Sequence, residues 1–81
     1  MRTSHALLLR LCHDPAYDFD RASVDYVDRG APGDRSNVPG SQIRCLQQGG
    51  MEIQSGVEAK FIPYHRIRRI SYDGKVLWEK S

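Results

Sequence analysis

The chain has 81 residues, 40% of them apolar and 27% charged, with a formal net charge of +2. That length holds one core and one domain, residues 1–81, and the composition is that of a globular chain rather than a disordered one. No apolar run approaches the roughly 18 residues that span a bilayer, since Arg10 breaks the run Ala6-Leu7-Leu8-Leu9, so a cytoplasmic protein with no membrane partner is expected.

In chain order, Ser4 is placed to cap a helix over about Thr3 to His13, with Ala6, Leu7, Leu8, Leu11 and Cys12 at helical spacing. Pro15 disfavours helical geometry at Asp14 and stops it. Val24-Asp25-Tyr26-Val27-Asp28 has the β-branched and aromatic content of a short strand ending at Gly30. Ala31 to Ser41, with Pro32-Gly33, Asp34, Asn37 and Pro39-Gly40, reads as an ordered loop. Gln42 to Gln47 resumes as a strand, Gly49-Gly50 turns, Met51 to Gln54 alternates as a strand, and Val57 to Ile62 follows. Asp73-Gly74 between Ile70-Ser71-Tyr72 and Val76-Leu77-Trp78 is a strong hairpin signal. No internal repeat is read. The plan is α+β: an N-terminal helix packed on a small curved antiparallel sheet or partial barrel of about five short strands, with Leu8, Ile70, Tyr72 and Trp78 as candidate core.

Charge is unevenly spread. Asp14 to Asp28 carries five acids against Arg21 alone, whereas Lys60 onward carries Lys60, Arg66, Arg68, Arg69, Lys75 and Lys80 against Asp73 and Glu79. Cys12 and Cys45 are too few for a disulfide framework and lack the paired spacing of a zinc site, so two separate thiols are expected, with no metal or other cofactor.

Three clusters have chemistry-bearing residues. In Pro63-Tyr64-His65-Arg66 the proline bends the chain at a strand end, His65 exchanges protons or hydrogen bonds near neutrality, and Arg66 offers a donor fork matched to phosphate. Spacing alone favours a basic packing strand in which Tyr64 packs and His65 bonds a backbone carbonyl. In Asp28 to Arg35, Gly30 and Gly33 permit backbone amides to turn toward an anion beside Arg29 and Arg35, although such loops are mostly solvated turns and the lysine and helix of a nucleotide-binding loop are missing. Leu11-Cys12-His13-Asp14-Pro15 has ligand-type residues, but neighbours in sequence seldom face one metal.

Together, Asp14-Pro15, Tyr26-Val27-Asp28-Arg29-Gly30, Gly40-Ser41-Gln42-Ile43, Ile62-Pro63-Tyr64-His65-Arg66-Ile67 and Gly74-Lys75-Val76-Leu77-Trp78 resemble the RNA cyclic group end recognition domain, a small, mostly archaeal family, from about Leu8 to Lys80. The chain departs from it at His13, where many relatives have tryptophan. The resemblance implies binding of RNA 3′ ends that carry a 2′,3′-cyclic phosphate or related group, as an accessory to RNA repair or processing enzymes. It carries over Tyr26, Asp28, Arg29 and Gly30, then Pro63, Tyr64, His65 and Arg66. A cyclic phosphate is a single-charged anion without a free 2′-hydroxyl, so recognition calls for a shaped anion pocket. Arg29, His65 and Arg66 would supply donors, Tyr64 or Tyr26 would stack on the terminal base, and Arg68, Arg69 and Lys75 would track preceding phosphates. Asp28 would touch RNA or orient Arg29. Two rivals remain open: a phosphoesterase or phosphotransferase opening the cyclic phosphate, for which only His65 lies in the motif, and a module docking onto an RNA-processing enzyme.

Overall fold

The computed structural model describes residues 4–80, in which one helix precedes seven strands. Helix α1 is Ser4–His13; Thr3 lies outside the described residues. Ser4 is inside the first turn and buried with Leu7, Leu8 and Leu11, while Ala6 and Cys12 face solvent, so the apolar stripe is narrower than the spacing implies. Asp14 closes the helix: its N–H donates to the Arg10 carbonyl at 2.9 Å and its Oδ1 accepts from Ala16 N–H at 2.9 Å, after which Pro15 leads the chain away.

The strands are β1 (Ala22–Val27), β2 (Arg35–Pro39), β3 (Ile43–Leu46), β4 (Gly50–Ser55), β5 (Glu58–Pro63), β6 (Ile67–Tyr72) and β7 (Lys75–Glu79). They form two antiparallel sheets, β2-β1-β6-β7 and β3-β4-β5. The α+β class holds, with seven strands rather than five. The Ala31 to Ser41 stretch contains a strand where a loop is expected: β2 is hydrogen-bonded along one side only and buries just Val38, so its residues carry almost no hydrophobic pattern. Asp73 at φ 52° and Gly74 at φ 84° make the β6–β7 hairpin with both central residues left-handed, as an Asp-Gly pair favours.

One core joins helix and sheets: Leu7, Leu8 and Leu11 meet Val24, Tyr26, Val38, Met51, Ile53, Ile62, Ile67 and Ile70. Sealing each such aliphatic side chain stabilises the fold by roughly 1.5–3 kcal/mol relative to exposure. Leu8 and Ile70 are fully buried, but Tyr72 and Trp78 only lean on the core from its margin, Tyr72 at the end of β6 beside the hairpin turn and Trp78 on β7, an edge strand that is largely solvated.

The strand registers reveal an internal repeat that the residues alone do not announce. In the hairpin β1–β2, Ser23 faces Pro39 and Val24 faces Val38; in β4–β5, Gly50 faces Pro63 and Met51 faces Ile62. Each hairpin ends in proline, passes through a 3-10 turn and enters a strand of the other sheet at an isoleucine: Pro39-Gly40-Ser41-Gln42-Ile43-Arg44 and Pro63-Tyr64-His65-Arg66-Ile67-Arg68. Both turns close by the isoleucine N–H donating to the first turn carbonyl, Gly40 or Tyr64. The strand that follows then pairs with the first strand of the other unit, Ile43 opposite Ile53 and Ile67 opposite Tyr26. Each carries one unpaired extra residue there, Arg44 in β3 and Arg68 in β6. That bulge is what allows Ile67 and Ile70, three apart, both to face the core. The two sheets are thus made by two ββ-corner-β units exchanging their last strands.

Candidate functional site

The second corner sets the site. Pro63, which cannot donate to a sheet, ends β5, and the turn Tyr64–Arg66 carries the chain from one sheet to the other. The first corner acts as an internal control on what the turn itself requires. Gly40-Ser41-Gln42 performs the same crossing, so proline and isoleucine are the scaffold, and nothing in the backbone demands Tyr64, His65 or Arg66. Gly40 is fixed by space: a Cβ there would lie 1.8 Å from the Phe19 carbonyl oxygen.

Exposed His65 and Arg66 open onto a cleft of about 220 Å³ whose other walls are Val27, Arg29 and Arg68. Each arrives by a different device. Arg29 is held by a turn in which Ala31 N–H donates to the Asp28 carbonyl at 3.1 Å, with Gly30 at φ 96°, a conformation side chains rarely adopt. Arg66 comes from the 3-10 turn, and Arg68 is the bulge residue, a position that commonly re-aims a side chain. Among the described residues none of these three guanidinium groups has a carboxylate within ion-pair distance. No carboxylate lines the cleft.

Arg69 is placed differently. It bonds Glu79 Oε2 at 2.8 and 3.1 Å and approaches Asp25 Oδ2 at 3.6 Å, and its pKa rises mainly through the Glu79 hydrogen bonds and charge. It is therefore committed within the sheet rather than available to a phosphate. Lys75 sits at the hairpin turn, opposite Tyr72, at the end of β6 remote from Arg68.

Asp28 stands behind the cleft. Its Oδ2 accepts from Ser36 Oγ at 2.7 Å and its Oδ1 from Lys60 Nζ at 3.3 Å. The Ser36 hydrogen bond foremost, then Lys60 and the charge of Arg66, hold its pKa below the usual value of 3.8 against a partial desolvation. This carboxylate is engaged within the protein, tying the end of β1 to β2 and β5, and its charge also acts on Arg66. Gly30 shapes the loop without lining the cleft. The amides of Asp28, Ala31 and Asp34 donate to the loop's own carbonyls, so these three do not face an anion.

The two tyrosines expected as alternative stacking platforms are placed differently. Tyr26 is 5% exposed, with Lys60 Nζ 5.8 Å from its ring centroid, and offers no face to a base. Tyr64 stacks on His5, with ring centroids 4.3 Å apart and planes at 16°, and its hydroxyl donates to the Gln47 carbonyl. Burial, and secondarily the nearby Cys45, raise its pKa above 10. Beside the arginine cleft, with His65 on the shared rim, lies a second, open hollow of about 330 Å³ lined by Ser4, Tyr64, His65, Trp78 and Lys80. Trp78 and Lys80 are residues that sequence reasoning left out of the site, because a tryptophan in a strand reads as core by its type.

On the opposite corner, Cys12, His13, Phe19, Ile43, Arg44, Cys45 and Leu46 line a hollow of about 260 Å³. Both cysteines are free and exposed, and among the described residues no cluster of three or more His, Cys, Asp or Glu suits a metal ion. Arg44 is bonded there to Gln54 Oε1 at 3.0 Å. Among the described residues no helix is long and apolar enough to cross a membrane.

The chain is 38% identical over 74 residues to a UPF0248 protein of Thermococcus onnurineus, covering 90% of this chain and 79% of the relative. It is 33% identical over 61 residues to one of Pyrobaculum calidifontis, 74% of this chain and 79% of the relative, and 27% identical over 71 residues to one of Methanopyrus kandleri, 88% and 90%. No solved structure matches. The family model described as MJ1316 RNA cyclic group end recognition domain matches residues 1–80, and the chain belongs to that family.

Proposed function

We propose that this protein binds the 3′ end of RNA carrying a 2′,3′-cyclic phosphate or a related end group, and presents that end to RNA repair or processing enzymes. The observation that carries this reading is the convergence of Arg29, His65, Arg66 and Arg68 on one cleft that no carboxylate lines. Guanidinium groups left unpaired on a surface are costly to gather unless an anion is their partner, and their planar forks fit phosphate oxygens. Each charge-assisted hydrogen bond to the ligand would contribute about 1.5–3 kcal/mol. A cleft this small encloses one phosphate and its ribose edge, which favours an end over an internal stretch of chain. The family's name points the same way.

Binding is favoured over turnover. Opening a cyclic phosphate with side chains alone uses an acid and a base on opposite sides of phosphorus, and His65 is the single such group on the cleft wall. Titrating one oligonucleotide finished in turn as a 2′,3′-cyclic phosphate, a 3′-phosphate and a 3′-hydroxyl tests the proposal. Tightest binding of the cyclic end is expected; equal affinity for the three would sink it.

A further inference from the structure

We infer that the hollow beside the arginine cleft is a nucleobase subsite, in which Trp78 stacks on the base of the nucleotide whose cyclic phosphate occupies the cleft. This inference rests on the proposed reading of the cleft and adds the part of the ligand that the cleft does not hold. Three observations carry it. The two hollows meet at His65, which lines both, so a ribose seated over that side chain would place its phosphate among the three arginines and its base against Trp78. Their chemistry also differs as the two halves of a nucleotide do. One hollow is walled by guanidinium groups, the other mainly by the rings of Tyr64, His65 and Trp78 beside Ser4, with one ammonium, Lys80 Nζ, held 3.3 Å from the His65 carbonyl. Finally, Tyr26 is buried and Tyr64, which also lines the hollow, has one face of its ring covered by His5, which leaves Trp78 as the aromatic wall without a ring already stacked on it among the described residues. Trp78 packs on the core from its margin and still lines the open hollow.

A stacking wall reads the π-face that every base possesses, so the subsite tolerates all four bases while rejecting an end without one. Purines, with the larger face, should bind more tightly than pyrimidines. Lys80 adds a donor toward base-edge acceptors without discriminating strongly among them.

Trp78 is the sole tryptophan, so its emission reports on the subsite in the unmodified protein. The probes are a short RNA ending in a 2′,3′-cyclic phosphate and the same RNA with the terminal nucleobase removed. Quenching of Trp78 on saturation with the first, with weaker binding and little quenching by the second, is the expected result. Trp78→Ala should lower affinity about ten- to a hundredfold, and Trp78→Phe should restore most of it. Binding of both RNAs with the same emission change, or with none, overturns the stacking assignment while leaving the anion cleft standing. Failure of both RNAs to bind removes the proposed function and this subsite together.

Discussion

Arg66→Gln gives the second corner the residue that the first corner carries at the equivalent place, Gln42. The fold should not notice. Arg66 is exposed, its backbone hydrogen bonding is that of a turn which Gln42 already occupies, and its guanidinium has no ion pair among the described residues. The stability change should stay within about 0.5 kcal/mol, as for surface positions generally. Binding should notice clearly. Losing one charge-assisted contact of about 1.5–3 kcal/mol lowers affinity for a cyclic-phosphate end roughly ten- to 150-fold. Removing one cation also makes the plot of log affinity against log salt shallower by about 0.7 for a single strand. Denaturant unfolding and fluorescence anisotropy at several salt concentrations measure the two effects on the same variant. Unchanged affinity with an unchanged salt slope would refute the role of Arg66 in the cleft, and a destabilisation above about 1 kcal/mol would mean that it serves the fold instead.

Gly40→Ala drives a methyl into the Phe19 carbonyl, a backbone group that cannot swing aside, and should destabilise by about 3 kcal/mol in chemical denaturation; a loss under 1 kcal/mol would contradict that close approach. Ser36→Ala removes the largest cause of the low Asp28 pKa. Because Asp28 titrates below its unfolded value, its stabilising contribution is full above about pH 4 and lost as pH falls through the folded-state value. The variant should therefore bring the Asp28 carboxyl titration, followed by NMR, back toward 3.8 and weaken the acid-side dependence of stability. Tyr64→Phe deletes the hydroxyl that holds Gln47 while keeping the ring on His5, and should cost about 1 kcal/mol of stability with little change in RNA affinity. A fall in affinity with stability intact would place that hydroxyl in the site.

The parts of the fold that were legible in the sequence are those where one local rule dominates. Leu7, Leu8 and Leu11 at helical spacing, Pro15 as a stop, the alternation Met51 to Gln54 and the Asp73-Gly74 turn each act within a few residues. Strand β2 was not, because an edge strand that buries only Val38 needs no pattern. The internal repeat hides for a physical reason too. What it conserves is backbone, a proline, an isoleucine and a bulged arginine, while the tripeptides between them differ entirely. The two hairpin loops also differ in length, so no fixed period survives. At the site, Arg29, His65 and Arg66 were identifiable as residues suited to an anion, and the corner brings them to one cleft. Arg68 and Arg69 look alike in the sequence, yet a one-residue bulge sends the first into the cleft and leaves the second between Glu79 and Asp25. Trp78 reads as core by its type alone; only its place on an edge strand leaves it lining the open hollow.

Arginine Nε–Hε signals offer the most direct measurement of whether this cleft holds an RNA end. On titration with a short RNA ending in a 2′,3′-cyclic phosphate, the signals of Arg29, Arg66 and Arg68 should shift strongly and saturate together. Arg44, the bulge residue of the other corner, should stay in place, and the hydroxyl-ended RNA should move all four far less. Shifts centred on Arg44, or equal shifts with both RNA ends, would contradict the assignment.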